Sequence, residues 1–274
     1  MKLLLYCVTY AEGGMTGQTL LTLFTFNFRL TYMRLHRFYI NEKNISKGKE
    51  LRIDDKELLH QWQKVFRLQA SDRVIVFNGE DFEYEGYFKV LAKSEAVLVI
   101  DKERKVERQT DIELHLFESI IKKDNFELIV EKCTEIGVSA FHPLVSERSE
   151  KKDLNIERLN KIAKEAAEQS GKTMLPEIFN PEKLEKAIAD FDGELFVLDF
   201  EGEDLLASLK SHPSQMKSQF DGARIGILVG PEGGWSDNER IWFDEKGIKS
   251  VSFGSQILRA ETAAIVVSAL ILMK

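Results

Sequence analysis

The stretch ILVGPEGGWSDNE, residues 227–239, carries three glycines and a proline within residues 230–234, and FGSQILRAETAA, residues 253–264, follows closely. The whole chain of 274 residues has only 17 glycines and 5 prolines, so this concentration is unusual. A connecting turn needs one or two such residues, whereas a loop whose backbone approaches a ligand uses several. The stretch therefore predicts a binding loop.

The sequence around these loops predicts an α/β domain. Apolar runs such as RIGILVG and SVSFG are typical of buried parallel strands, and each leads into a loop and then a helical pattern. Ser236 and Glu239 have the spacing of a capping box at a helix start, as do Asp124 and Glu127 before a helix that ends at Gly137. Because ligands of open α/β sheets bind at the carboxyl ends of strands, we expect both loops to meet at one site.

Residues 33–102 are predicted to form a smaller, all-β domain. Short β-rich runs flank an Asn-Gly turn signal, and several such strands in a short segment are typical of a small barrel. Residues 55–68 predict one amphipathic helix with Val65 among its inward-facing side chains. Residues 1–32, with short divided apolar runs, are predicted to be an extension before a translation start at Met33.

Composition excludes several classes of site. Two cysteines exclude a disulfide framework and a multi-cysteine zinc site, and the five histidines are scattered, so no metal is predicted. The apolar runs are too short to span a bilayer, and we expect a cytoplasmic protein. The net charge is −7, with balanced charge over residues 33–102 and an acidic remainder, so any RNA footprint must be local.

The glycine spacing also excludes two phosphate-binding motifs. No Gly-Lys-Ser/Thr follows the loop, as a P-loop requires, and the dinucleotide pattern G-x-G-x-x-G is absent. From these residues alone, two tight turns that serve only packing stay an alternative to a binding site.

Four segments in consistent order carry a family resemblance: IVEKCTEIGVSAFHPLVSERS, EAAEQSGK, GPEGGWSDNE and FGSQILRAETAA. They resemble the RsmE family of 16S ribosomal RNA uridine-N3 methyltransferases, within the SPOUT superfamily, from Met33 to the C-terminus. The resemblance implies a PUA-like RNA-binding barrel at residues 33–102 and, at residues 103–274, a SPOUT-type α/β methyltransferase domain with a C-terminal trefoil knot. It also implies a homodimer, S-adenosylmethionine as methyl donor, and 16S ribosomal RNA in the assembled small subunit as substrate.

The resemblance also implies the site residues. The donor needs an apolar slot for adenine and polar contacts for the rest of the molecule, and the strand-end loops supply candidates. Arg259 is predicted to orient the base or stabilise the uridine anion, since a guanidinium donates two bonds and cannot take the proton. A structural salt bridge to Glu261 or Glu232 is the alternative. The predicted cofactor-binding residues are Leu198, Gly230, Glu232, Gly233, Gly234, Phe253, Gly254, Ile257, Leu258 and Glu261.

Basic side chains are the candidate contacts for RNA, with a solvated surface charge as the alternative for each. Two residues depart from the family pattern: Lys172 stands where many relatives have Arg, and Ala260 where a hydroxyl residue is common. A SPOUT enzyme for another RNA nucleotide and a non-catalytic RNA-binding module are the alternative functions. The candidate RNA-binding residues are Arg34, Arg37, Arg67, Arg73, Arg148 and Lys172.

Overall fold

The structure is a computed structural model in which all described residues belong to one compact unit that begins at Leu35. The predicted extension, residues 1–32, and Arg34 lie outside the described residues. The described ranges are 35–43, 45–106, 111–149, 151–205 and 224–273.

A five-stranded sheet forms the first part of this unit. Its order is β1-β3-β4-β5-β2, with β1 parallel to β3 and every other pair antiparallel. Trp62 and Phe88 pack together in its core, which confirms the predicted small β domain. Strand β5 extends three residues past position 102. The strands are β1 (Arg37–Tyr39), β2 (Glu50–Ile53), β3 (Arg73–Phe77), β4 (Phe82–Leu91) and β5 (Ala96–Lys105).

The helix of this part is irregular. Helix α1 (Lys56–His60) continues as a π-helical turn over Gln61–Val65, where the N–H of Phe66 donates to the carbonyl of Gln61 five residues earlier. A π-turn is wider than an α-turn, so the residues after it rotate away from the face that a regular helix would bury. Trp62 is fully buried, but Val65 is 63% exposed, and its predicted inward orientation is wrong.

A parallel sheet forms the second part. Its order is β12-β10-β11-β6-β7-β8, and β9 also pairs with β7. These elements confirm the predicted α/β class. The strands are β6 (Glu113–Ser119), β7 (Ala140–Val145), β8 (Glu177–Ile178), β9 (Glu182–Lys183), β10 (Glu194–Asp204), β11 (Arg224–Val229) and β12 (Lys249–Ser252). The helices are α2 (Lys123–Ile136), α3 (Ile156–Ser170), α4 (Leu184–Ala189), α5 (Asp237–Glu245) and α6 (Ala260–Leu272).

Helices cover both faces of this sheet, which is why central strands such as β11 (RIGILV) are mainly apolar. On one face Leu116 and Ile227 pack in a cluster with side chains of α2, α3 and α6. On the other face Phe117 and Leu228 pack with side chains of α4 and α5. The alternation of neighbouring residues between the two clusters follows from the two-residue period of a strand.

Two of the predicted helix ends are confirmed and one is wrong. Ser236 and Glu239 form a reciprocal capping box at the start of α5, and α2 ends at Gly137 with a left-handed φ of 115°. The predicted box at Asp124 is absent, because α2 begins after Lys122, whose side chain makes no capping bond. Asp124 lies in the first turn, where its charge suits the helix dipole instead.

The chain crosses over a strand near its end. Strand β11 leads through α5 to β12, which lies on the far side of β10. The segment between β10 and β11 includes residues 206–223, which are outside the described residues. The trefoil knot that the resemblance implies therefore stays a prediction.

Among the described residues, contacts with α3 and its C-terminal end join the first part of the unit to the second. The N–H of Tyr39 donates to Glu168 Oε1 at 3.0 Å, and Arg37 Nη2 donates to the carbonyl of Gly171 at 3.2 Å. Lys161 of α3 forms an ion pair of 2.7 Å with Glu57 of α1. Strand β1 is thus fastened to the C-terminal end of α3.

Candidate active site

The two loops predicted to bind a ligand meet at one cavity. The glycine-rich loop, residues 230–235, follows β11, and residues 253–259 follow β12 at the same edge of the sheet. Together with the end of β10 they line a cavity of about 380 Å³. The cavity lies at the carboxyl ends of three parallel strands, as we expect for an α/β sheet.

The buried side chain of Trp235 holds the glycine-rich loop against β10. The side chain is 1% exposed, and Nε1 donates a hydrogen bond of 3.0 Å to the carbonyl of Leu198 on β10. A Cβ atom added at Gly230 would lie 3.1 Å from this indole ring. Gly234 has a φ of 68°, a conformation that side chains rarely adopt. Two of the loop's glycines thus meet steric or backbone requirements.

The loop after β7 braces the glycine-rich loop. Arg148 Nη1 donates to the carbonyl of Gly233 at 2.9 Å. Glu239, the carboxylate of the capping box, also accepts a bond of 2.9 Å from the N–H of Glu147. The loop after β7 therefore holds both the glycine-rich loop that borders the cavity and the start of α5.

Most of the predicted cofactor-binding residues border the cavity, and two do not. Gly254 lies behind it, where an added Cβ would approach Asp204 Oδ2 to 2.9 Å, so its backbone shapes the loop. Glu261 is buried in the first turn of α6. The predicted residues that line the cavity are Leu198, Gly230, Glu232, Gly233, Gly234, Phe253, Ile257 and Leu258.

Arg259 also lines the cavity, at the N-cap position of α6. Its side chain is exposed and makes no hydrogen bond or ion pair with any residue that the structure describes. The alternative of a salt bridge to Glu232 or Glu261 is thus not seen. The guanidinium is free to contact a ligand in the cavity.

Several lining residues were not predicted from the sequence. Asp199 and Phe200 belong to β10, whose end bends toward the cavity, and Trp235 contributes its buried ring. Among these residues, Trp235 is the one that the sequence could have indicated, because it directly follows Gly233 and Gly234. The residues missed are Asp199, Phe200, Val229, Pro231, Trp235, Val251, Ser252, Gln256, Ala260 and Ala263.

A buried carboxyl group lies beside this site. Glu118, at the end of β6, is fully buried and pairs in register with Val229, a cavity residue. Neither carboxyl oxygen has a hydrogen-bond partner among the described residues, and the same holds for Glu261 Oε2. Burial, with the negative charges of Glu232 and Glu261 nearby, raises the pKa of Glu118 well above its usual value. Burial at this position therefore favours the protonated, uncharged form of the carboxyl.

The candidate RNA-binding residues divide by exposure. Arg67 and Arg148 are exposed, and Arg67 occupies a left-handed conformation with a φ of 55°. Arg73 is partly exposed and pairs with Glu85 and Asp101.

The other two described candidates make structural contacts. The side chain of Arg37 is 8% exposed and pairs with Glu83. Lys172 Nζ donates to the carbonyl of Ile136 at 3.0 Å, at the C-terminal end of α2, and burial lowers the pKa of this lysine. A cation at a helix C-terminus is favourable, so Lys172 stabilises α2.

Two kinds of site are absent from the described part of the chain. It contains no group of three or more His, Cys, Asp or Glu side chains that could hold a metal ion. Within the same residues, no helix has both the length and the apolar character that crossing a membrane requires.

Sequence comparison relates the chain to known RNA-modifying proteins. The profile of the RNA methyltransferase domain family matches residues 108–272. Ribosomal RNA small subunit methyltransferase E of Rickettsia conorii is 31% identical over 242 residues, which cover 85% of this chain and 93% of the relative. The protein of the same name from Synechocystis sp. is 35% identical over 213 residues, covering 75% of this chain and 67% of the relative.

Solved structures agree with this relationship. A ribosomal RNA small subunit methyltransferase E from Neisseria gonorrhoeae, solved with S-adenosyl methionine bound, superimposes with a TM-score of 0.76. The two chains are 27% identical, and the match covers 86% of this chain and 96% of the other. The likeness thus extends over both sheets.

Proposed function

This chain belongs to the ribosomal RNA small subunit methyltransferase E family, and we propose that it methylates N3 of a uridine in 16S ribosomal RNA. It is an enzyme that uses S-adenosylmethionine to methylate ribosomal RNA. The observation that carries the finer proposal is the guanidinium of Arg259, which has no partner among the described residues and lies at a cavity bordered by glycine backbone. We propose three further points: uridine as the target base, N3 as the methylated atom, and Arg259 as a residue that acts on that base.

The residues present fit the methyl donor. A cavity of about 380 Å³ lies within the usual size of small-molecule sites. Leu198, Phe253 and Leu258 give it apolar walls for a purine ring, while the Gly230 and Gly233 backbone provides polar groups without Cβ interference. When bound, S-adenosylmethionine supplies an electrophilic methyl group on a positively charged sulfonium.

The charges around the cavity favour a cationic ligand. Glu232 lines the cavity, and Glu261 is buried just behind its Ala260 wall, with no basic partner for either among the described residues. Carboxylates near a low-dielectric site attract a positive group more strongly than a neutral one. The site is thus suited to bind the donor, which carries a sulfonium charge, and to release the product, which lacks that charge.

Uracil N3 determines the chemical task of the protein. N3 carries a proton and becomes a good nucleophile only when that proton leaves. Arg259 is proposed to stabilise the resulting anion, whose charge spreads onto O2 and O4, because a fixed guanidinium donates to such oxygens and keeps its own protons. No His or Asp is assigned as general base, and water or hydroxide is proposed to take the proton.

RNA contact is proposed to involve both parts of the chain. The proposed PUA-like domain at residues 33–102 presents Arg67 in the segment before β3, and the loop after β7 presents Arg148 beside the cavity. Exposed guanidiniums contact phosphate without reading sequence. The assembled small subunit is the proposed substrate, which places the enzyme in the cytoplasm.

A homodimer is part of the same proposal. Helix α6 is apolar nearly all round, and Ile265, Val266, Leu270 and Ile271 remain only partly buried. Such a helix needs a cover beyond one sheet face. A second copy of the chain is proposed to provide it, and a charge at Ile265 or Val266 is expected to give a monomeric or inactive protein.

The test is to map the modified nucleotide. Small-subunit RNA from a strain that lacks the gene is incubated with the full chain and labelled S-adenosylmethionine, and the product is analysed by mass spectrometry of nucleosides. We expect 3-methyluridine at one position with the parent enzyme. Label on another base or atom would contradict the N3 assignment, and no label in naked RNA or assembled subunits would favour a non-catalytic RNA-binding role.

A further inference from the structure

A bulge in β10 pushes residues 199–202 out of the ladder with β12. Leu198 and Glu203 both pair with Val251, so the residues between them have no register partner on that strand. A Cβ added at Gly202 would lie 2.5 Å from the backbone nitrogen of Val251, so the bulge requires glycine there. Bulges next to active sites re-aim side chains.

The side chain that this bulge re-aims is Phe200. It is 61% exposed, yet it lines the cavity together with the glycine-rich loop. A large apolar ring in contact with solvent loses the free energy that burial would provide. Its position at the cavity mouth therefore points to a ligand that covers it.

A partly buried ion pair lies next to this ring. The guanidinium carbon of Arg240 lies 5.1 Å from the Phe200 ring centroid. Arg240 in turn donates to Asp199 through Nε at 2.6 Å and Nη2 at 3.2 Å, and the Asp199 side chain is only 6% exposed. A two-point bond of this kind fixes the plane of the guanidinium. The ring thus has a fixed cationic neighbour.

Local charge indicates which part of a nucleic acid would bind here. Asp199 neutralises Arg240, and Glu201 and Glu203 are exposed beside the ring. An acidic surface repels phosphate, whose binding needs excess positive charge. Stacking of a base on an aromatic ring does not need such charge. The observations therefore favour a base over the phosphate backbone.

We propose that Phe200 stacks against a nucleobase of the RNA substrate at the mouth of the methyl-transfer cavity, and that the Asp199–Arg240 pair holds it in place. This rests on the proposed function, since RNA must reach the cavity for its base to meet the ring. The target base, or its direct neighbour, is the occupant.

The test measures RNA and donor separately in the full chain. Unmodified small-subunit RNA and assembled subunits, both from a strain that lacks the gene, serve as substrates in steady-state methylation. Phe200→Ala is expected to lower kcat/KM for RNA by roughly ten- to a hundredfold, the loss typical of one base–aromatic stack. Phe200→Trp should keep most of the activity because a stacking surface remains.

Calorimetry with S-adenosylmethionine provides the second readout, in which Phe200→Ala should bind within about twofold of the parent, because stacking acts on the RNA alone. Ile241→Ala is the matched control, since Ile241 is 58% exposed on α5 and lies outside the cavity lining. Methylation by Phe200→Ala at the parent rate would overturn the proposal. So would an equal loss of donor affinity, which would assign the ring to the donor. A parent without methylating activity would overturn the proposed function together with this proposal.

Discussion

The indole Nε1 of Trp235 donates a hydrogen bond of 3.0 Å to the backbone carbonyl of Leu198, and this bond ties the glycine-rich loop to β10. Both residues line the same cavity. The bond therefore holds the wall contributed by β10 at a fixed distance from the wall contributed by the loop after β11.

Trp235→Phe is expected to lower stability by roughly 1–3 kcal/mol, because the carbonyl of Leu198 loses its donor in a buried site. Donor affinity should fall as well, since the loop is no longer tied to β10. Urea unfolding and calorimetry measure the two effects. Trp242→Phe, on the partly exposed face of α5, is the control and should change neither value appreciably. Unchanged donor affinity in Trp235→Phe would show that the bond does not shape the cavity.

Arg259→Ala is expected to lower the methylation rate by on the order of a hundredfold, the scale of losing one aimed donor. Donor affinity should change far less, because the guanidinium is assigned to the uridine anion. In the parent the rate should rise with pH as N3 ionises. Arg259→Lys keeps the charge and loses the planar fork, so it should recover only part of the rate. A folded Arg259→Ala enzyme that methylates within a few-fold of the parent would end the assignment.

Glu118→Gln is expected to make the protein more stable at alkaline pH. The pKa of Glu118 is raised in the folded protein, so above the ordinary value of 4.5 the folded state keeps a proton that the unfolded state loses. Its contribution to stability therefore decreases as pH rises, by about 1.4 kcal/mol per pH unit up to the folded pKa. Glutamine resembles the neutral carboxyl and does not titrate.

The measurement is urea unfolding of Glu118→Gln and parent between pH 4 and 9, a range chosen to bracket carboxyl titration. The stability difference should be small at the acid end and grow with pH in favour of the variant. Glu113→Gln is the control of opposite sign. Burial alone would raise the pKa of Glu113, but bonds from His115 and Arg224 outweigh it and lower that pKa. If the unfolding free energies of Glu118→Gln and the parent changed in parallel with pH, the raised pKa of Glu118 would be contradicted.

His142→Phe is expected to flatten the loss of stability in acid. The ring lies between Phe117 and Phe179, each at a centroid distance of 4.2 Å, and its Nε2 is 2.9 Å from His115 Nδ1. Burial, with His115 nearby, lowers the pKa of His142 to about 4 from an ordinary 6.5. Between these values the unfolded state binds a proton that the folded state does not, so stability falls as pH drops through this window.

Phenylalanine fits the aromatic stack and does not titrate. Unfolding at several pH values should show a smaller slope for His142→Phe between pH 6.5 and 4, although its stability near neutral pH should be lower because His115 loses a partner. The acidic groups near the pair, Glu113, Glu177 and Glu182, are the same in both proteins. An unchanged slope would assign the acid sensitivity to other groups.

The sequence predicted where the site lies in the fold better than it predicted which residues line the cavity. Ser236 and Glu239 are three residues apart, so their capping box depends on local spacing alone, and it is confirmed. The convergence of the two loops follows equally from parallel strands, whose carboxyl ends share one edge. Both patterns can be read without knowing which strands are neighbours.

The features that could not be predicted depend on distant pairings. Asp199 and Arg240 are 41 positions apart, and Asp199 lies in the part of β10 that bulges away from its register with β12. The two strands come together through the crossover, which no local pattern specifies. The sequence predicts that Lys172 is a surface charge, whereas in the structure it bonds to the C-terminal end of α2. The sequence predicts that Val65 faces the core, whereas in the structure it lies in the π-helical turn and is exposed.

The bonds from Arg37 and Tyr39 to the end of α3 set a fixed length within the molecule. Under the proposed function, one part of the chain grips RNA and the other carries out methyl transfer, with this fastening between them. The distance between the part that contacts RNA and the cavity is then set by the protein and not by the RNA. A nucleotide is then selected by how far it lies from the gripped segment, as well as by its own base.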